Sequence, residues 1–133
     1  MSDDRGVGDG LSDLIGIEYL EFDGDRARGR LEVTPKVLQP FGIVHGGALA
    51  ALAESLCSRA TFEHVAAEGM VAMGQANNAS FLRPISAGHV NAEAVPRHRG
   101  RTTWVWDCEL SDDDGRLCAL VRMTIAVRPN PRG

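Results

Sequence analysis

The stretch from Gly46 to Thr61, GGALAALAESLCSRAT, carries only two charged residues, Glu54 and Arg59. Its apolar residues Leu49, Leu52, Ala53, Leu56, Cys57 and Ala60 recur at the three- and four-residue steps of a helix. The spacing predicts a helix from Gly46 to about Ala67, with Gly69 as its C-terminal stop. The face beside the stripe holds Gly47, Ala50, Glu54, Ser58 and Thr61. A helix washed by water on that face would carry several long charged side chains. This helix is therefore expected to be covered on most sides. A sheet can cover only one, so the other cover is expected to be a second chain, and Glu54 is expected to be partly buried there.

The remaining elements read as strands. Leu14 to Phe22 and Arg26 to Thr34 flank the turn residues Asp23, Gly24 and Asp25. In the second, Ala27, Gly29, Leu31 and Val33 face one way and Arg26, Arg28, Arg30 and Glu32 the other. Lys36 to Val44, with Pro40 and Gly42, reads as a loop. After the helix come Val71 to Leu82, His89 to Arg97, Thr102 to Leu110 and Arg116 to Val127. The last two flank the acidic turn at Ser111–Gly115. Trp104, Trp106 and Cys108 share a face, as do Leu117, Ala119, Val121, Met123 and Ile125. Two strands, one long helix and four strands make an α+β layout.

Composition narrows the function classes. The 133 residues fit one domain over 12–133, preceded by a polar, acidic, mobile tail at 1–11. Hydrophobic residues at 44% and charged residues at 24% support a packed core and exclude wholesale disorder. The formal net charge of -4 argues against a general nucleic-acid binder. No run of about 18 apolar residues spans a membrane. The N-terminus is no secretory signal, and a cytoplasmic location is expected. Cys57, Cys108 and Cys118 are too few and too scattered for a disulfide framework or a zinc site, and read as buried small hydrophobes. His64, His89 and His98 lack ligand spacing, so no metal is assigned.

The residues that carry chemistry cluster at the helix start. His45-Gly46-Gly47 lies where backbone N–H groups lack intrahelical acceptors and the helix dipole is positive. Glycines there let a carbonyl approach closely and become a stabilised oxyanion. Gly46 and Glu54 are eight residues apart, about 12 Å along the axis. One carbonyl cannot readily touch both in one chain. Two helices antiparallel about a two-fold axis bring Glu54 of one to Gly46 of the other.

The segment Gln39-Pro-Phe-Gly-Ile-Val-His-Gly-Gly-Ala-Leu-Ala-Ala-Leu-Ala-Glu-Ser-Leu-Cys-Ser58 resembles the hotdog-fold thioesterases of the phenylacetate-pathway type. Within them it is most similar to the branch with the Arthrobacter-type 4-hydroxybenzoyl-CoA and 1,4-dihydroxy-2-naphthoyl-CoA thioesterases. Phe81-Leu-Arg-Pro84 and Gly115 to Val127 are similar too. The resemblance implies a curved antiparallel sheet wrapped around one long central helix. It implies a homodimer with interfacial active sites, often doubled to a tetramer, and hydrolysis of an acyl-CoA, with aryl-CoA leading, to free acid and CoA without a cofactor. Glu54 matches the nucleophile or general base and Gly46 the carbonyl-polarising donor. Gln39 and His45 match residues that orient the site, and Ser58 a residue that holds water. Each has a plainer alternative: Gln39 bonded to its own loop, His45 pinning the loop through a ring N–H, Ser58 a small interface residue.

Arg97, Arg99 and Arg101 alternate and would point one way in an extended segment, toward CoA phosphates. Arg83 is a further candidate. Gly100-Arg101-Thr102 matches a region near the phosphates in relatives. A solvated strand end is the plainer alternative. The rival functions are a hotdog hydratase or dehydratase on acyl thioesters and a non-catalytic acyl-CoA binder. The Gly46–Glu54 pattern disfavours the first, and a binder has little reason to bury Glu54.

Overall fold

The structure, a computed structural model, describes residues 10–132. The expected tail at 1–11 falls mostly outside them; Leu11 already opens a short helix, α1 (Leu11–Leu14). Strands β1 (Ile17–Asp23) and β2 (Arg26–Glu32) form a hairpin. A 3-10 turn at Pro35–Val37 and a loop lead to α2 (Gly46–Val65). Another 3-10 turn, Ala66–Glu68, ends on Gly69 at φ 75°, the left-handed stop that the sequence predicts. Strands β3 (Met70–Phe81), β4 (His89–Arg99), β5 (Thr103–Ser111) and β6 (Leu117–Pro129) complete the chain.

All six strands form one antiparallel sheet in the order β1-β2-β4-β5-β6-β3. The sheet wraps α2, which touches every strand. This is the hotdog fold that the resemblance implies. The stripe Leu49, Leu52, Ala53, Leu56, Cys57 and Ala60 is buried against it. At Gly29 a Cβ would lie 2.9 Å from the Glu18 carbonyl oxygen and 3.3 Å from Leu56, so the missing side chain lets the helix sit close to β2.

Four details correct the sequence reading. Leu14 ends α1 and is not part of a strand. Thr61 belongs to the core side of α2: it is fully buried, donates to the Cys57 carbonyl and accepts from Trp106 Nε1–H. Its position four residues after Cys57 puts it on the same face. Leu117 is 37% exposed, because the β5–β6 register slips beside Ser111. Arg97 sits at a register shift between Pro96 and His98, which breaks the alternation expected of the arginines.

The three cysteines are buried and free. Burial, reinforced by Cys108, pushes the Cys57 thiol well up, so it behaves as core. Among the described residues no helix is long and apolar enough to cross a membrane.

Candidate active site

The loop before α2 is closed by its own backbone. Gln39 N–H donates to the Ile43 carbonyl at 2.8 Å, Gly42 N–H to the Gln39 carbonyl at 2.9 Å, and Leu38 bridges Val44. Gly42 makes the turn at φ 82°. The Gln39 side-chain oxygen accepts from Phe41 N–H, so part of Gln39 serves its own loop. Its Nε2 amide has no acceptor among the described residues. His45 caps the helix: Nδ1 accepts from Gly47 N–H at 2.8 Å. The ring therefore pins the loop as an acceptor, not through a ring N–H.

With Gly47 N–H taken by the cap, the neighbouring Gly46 N–H has no acceptor among the described residues. It stands at the first position of α2, where the dipole favours developing negative charge. The Phe81 ring lies over Gly46, close enough that a Cβ there would be 2.9 Å from it. Phe81 itself is 55% exposed and walls one side of the helix start.

Strand β3 runs antiparallel to α2 along its open face. Phe81 meets Gly46, Asn77 Nδ2 donates to the Ala50 carbonyl at 3.0 Å, and Gly74 meets Glu54. A Cβ on Gly74 would fall 2.8 Å from Glu54 Oε2, so the carboxylate rests directly on the strand. Asn77 Nδ2 also reaches Glu54 Oε1 at 3.5 Å, the outer limit of a hydrogen bond. A groove of about 520 Å³ follows this seam, lined by Gly47, Ala50, Ala51, Glu54, Ser55 and Asn77 among others. Within one chain Glu54 is exposed, and the burial expected of it depends on a second chain over this face. Ser58 lies one turn on and lines a neighbouring cavity.

The candidate CoA ligands do not gather in one chain. Arg97 Nε lies 3.5 Å from Asp107, which Arg122 also contacts. Arg99 reaches the Gly24 carbonyl and Asp25 and lies over the Trp104 ring. Arg83 and Arg101 make no ion pair among the described residues. Arg83 follows Phe81 at the Gly46 end of α2. The Thr102 carbonyl accepts from Val127 N–H, and Val127 pairs with Ala72, so Arg101 and Thr102 lie toward the Glu54 end. Phe81, Gly74 and Asn77 are the site residues that the sequence reading missed. The glycine, the uncharged run around it and the similarity of Phe81-Leu-Arg-Pro84 were the hints in the sequence. Among the described residues no three His, Cys, Asp or Glu side chains converge on a metal position.

Comparison with known proteins identifies the family. Residues 41–119 match the family model of the thioesterase superfamily. The chain is 42% identical over 119 residues to a Pseudomonas aeruginosa protein, covering 90% of this chain and 82% of that one. A crystal structure of the Pseudomonas thioesterase with one glutamine replaced by alanine superposes with a TM-score of 0.88 at 40% identity, covering 92% and 88% of the two chains. The 1,4-dihydroxy-2-naphthoyl-CoA hydrolase of Listeria monocytogenes is 39% identical, covering 90% of this chain and 96% of the hydrolase. A Staphylococcus aureus thioesterase superposes with a TM-score of 0.86 at 31–32% identity, covering 90% and 98%. In its structures a glutamine and a glutamate fifteen positions apart were each replaced by alanine, the same separation as Gln39 and Glu54. These relatives do not single out the Arthrobacter-type branch. The chain belongs to the thioesterase superfamily, as a hotdog-fold thioester hydrolase.

Proposed function

We propose that the chain hydrolyses an acyl-CoA thioester at a composite site built by two copies. The observation that carries this reading is the spacing along one seam. The Gly46 N–H lacks an acceptor at one end, the Glu54 carboxylate rests on Gly74 at the other, and Ala50 is bonded to Asn77 midway. A two-fold axis beside Ala50 and Asn77 carries Glu54 of one chain to Gly46 and Phe81 of its partner. The edge strand β3 supports such a pairing, since it has twelve residues, no charge and no buried position. Exposed Val95 and Leu120 on the outer sheet face offer a second surface, for a dimer of dimers.

In this site the Gly46 N–H and the helix dipole polarise the thioester carbonyl. Glu54 of the partner either attacks the carbonyl carbon, expelling CoA thiolate and leaving an anhydride that water opens, or takes a proton from the attacking water. The products are a carboxylic acid and CoA in both cases. His45 holds the loop, and Gln39 Nε2 and Ser58 are the groups placed to orient substrate and water. Arg83 from one chain and Arg101 with Thr102 from the other flank this site and suit the CoA phosphates. Arg97 and Arg99 already hold carboxylates and contribute less. The Glu54 carboxylate favours the Arthrobacter-type branch, with aryl-CoA as the leading substrate class. Three reduced cysteines fit a cytoplasmic protein.

Thiol release from a panel of acyl-CoAs tests the reading, with Glu54→Gln beside the wild type. The variant is expected to lose about 10²-fold or more in kcat with a much smaller change in KM. Single turnover in labelled water separates the roles: a nucleophile whose anhydride is opened at the Glu54 carbonyl delivers its own unlabelled oxygen to the first acid, a base delivers solvent oxygen. Near-wild-type kcat in Glu54→Gln sinks the catalytic assignment. Water addition without thiol release favours a hydratase, and binding without turnover favours a carrier.

A further inference from the structure

The Phe81 ring takes no part in the core. It is half exposed and does not join the cluster of apolar side chains packed around α2. Its place is nevertheless fixed by the backbone on both sides. Phe81 pairs with Ala119 on β6, and the N–H groups of Leu82 and Arg83 both donate to the Cys118 carbonyl, at 2.8 and 3.1 Å. Val44 N–H donates to the Ile85 carbonyl at 2.8 Å, so the segment after β3 is tied to the loop that enters α2. The ring so held rests on Gly46: a Cβ there would lie 2.9 Å from both Cε2 and Cζ and 3.4 Å from Cδ2. One edge of the ring therefore presses on the Cα that carries the Gly46 N–H. The next three N–H groups of the helix already have acceptors: Gly47 donates to His45 Nδ1, and Ala48 and Leu49 to the His45 carbonyl.

We infer that Phe81 is a positioning residue for the hydrolysis, acting through Gly46: its ring keeps water off one side of the N–H that polarises the thioester carbonyl. The inference rests on the hydrolase reading above and adds the group that makes its single donor effective. A carbonyl oxygen accepting from the Gly46 N–H stands about 2.9 Å from that nitrogen, and so beside the ring. With Gly47, Ala48 and Leu49 committed, the helix start offers the oxygen one backbone donor, where an oxyanion hole commonly has two. A lone donor does more where water is excluded. The local dielectric falls, and both the hydrogen bond and the helix dipole act more strongly on the developing negative charge. The same contact accounts for glycine at position 46, since a side chain there meets the ring and displaces it from the donor.

The test uses whichever of acetyl-, hexanoyl-, palmitoyl-, benzoyl- and 4-hydroxybenzoyl-CoA the wild type turns over fastest. Each variant is assayed at a concentration where light scattering gives the wild-type mass. Phe81→Ala is expected to lower kcat by about tenfold or more while KM changes by less than about twofold, because the shield acts on charge that develops in the transition state. Phe81→Leu, apolar and bulky, is expected to recover much of that loss. Leucine also lacks the two ring atoms nearest Gly46, so it leaves room for a Cβ. Gly46→Ala is therefore expected to cost about tenfold or more in the wild type and several-fold less in the Phe81→Leu background. A raised KM with kcat kept in Phe81→Ala makes the ring a substrate contact and overturns the role, as does an unchanged kcat. Additive losses in the Gly46 and Phe81 cycle overturn it as well, without calling on the alanine variant of Phe81. Release of thiol by the wild type from none of these substrates overturns the hydrolase reading instead.

Discussion

The two edges of the sheet are built from opposite materials. Strand β1 is seven residues long and carries Glu18, Glu21 and Asp23. Glu18 pairs with Arg30 at 3.3 Å, Glu21 contacts Arg28 at 3.8 Å, and the strand bulges at Leu20. Charges keep an edge from recruiting another strand, and they alone separate the two edges, since β3 also slips in register between Gly74 and Ala76. Strand β3 is twelve residues of Met, Val, Ala, Gly, Gln, Asn, Ser and Phe, without a charge or a proline. The small-residue face of α2, with Glu54 on it, lies along this second edge. One edge is protected from pairing, and the other has the composition of an interface beside a carboxylate.

The strongest way to break that comparison is to give β3 the protection that β1 has. Asn78 neighbours the proposed axis and pairs across the sheet with Arg122. Asn78→Lys would set like charges against each other across the two-fold, next to two arginines. Light scattering at micromolar concentration is expected to find a dimer or tetramer in the wild type and mostly monomer in Asn78→Lys, with thioesterase activity lost alongside. Leu20→Lys, on the exposed bulge of β1, is expected to leave assembly and activity within error. A fully active wild-type monomer would remove the shared site altogether.

A smaller effect is expected at Gly74. An alanine Cβ there meets the end of the Glu54 side chain, which can swing away without unfolding anything. Gly74→Ala should lower kcat by about tenfold or more through the displaced carboxylate, with little change in melting temperature. An unchanged kcat would mean that the resting position of Glu54 on β3 is irrelevant to catalysis.

Smaller again is the effect at the phosphate end. Arg101→Ala should raise KM for acyl-CoA several-fold and leave a truncated pantetheine thioester nearly unaffected, because the truncated substrate has no nucleotide phosphates. Equal effects on both would place Arg101 away from CoA.

The weakest perturbation lies in the β5–β6 turn, at the Phe81 end of β3 and away from Gly74 and Glu54. The Asp112 carboxylate accepts from the backbone N–H groups of Arg116 and Asp114 and from Arg116 Nε. The Arg116 backbone bond above all holds its carboxyl below the usual range. A carboxyl depressed in the folded state contributes stability above its unfolded pKa and loses it as pH falls through the folded one. Asp112→Asn should therefore melt earlier than the wild type at neutral pH. The gap should close below about pH 4, the ordinary Asp range. Activity at neutral pH should be nearly unchanged.

The periodicity of Leu49 to Ala60, the stop at Gly69 and the alternation in β2 are local patterns. Each element was legible because a helix or strand imposes its period on the residues it buries. The motif from Gln39 to Ser58 likewise named its candidates, since capping and dipole chemistry at a helix start are set within a few residues. The missing charges set one side of α2 apart, but did not say which element would lie along it. Thr61, Arg97 and Leu117 were misplaced because a core hydrogen bond, a bulge and a register slip depend on partners far along the chain. Only the tertiary structure put β3 at an edge, set Phe81, Asn77 and Gly74 beside Gly46, Ala50 and Glu54, and sent Arg83 and Arg101 to opposite ends of the seam. Strand order and cross-strand register arise from contacts between distant segments, which a single sequence does not specify by its spacing.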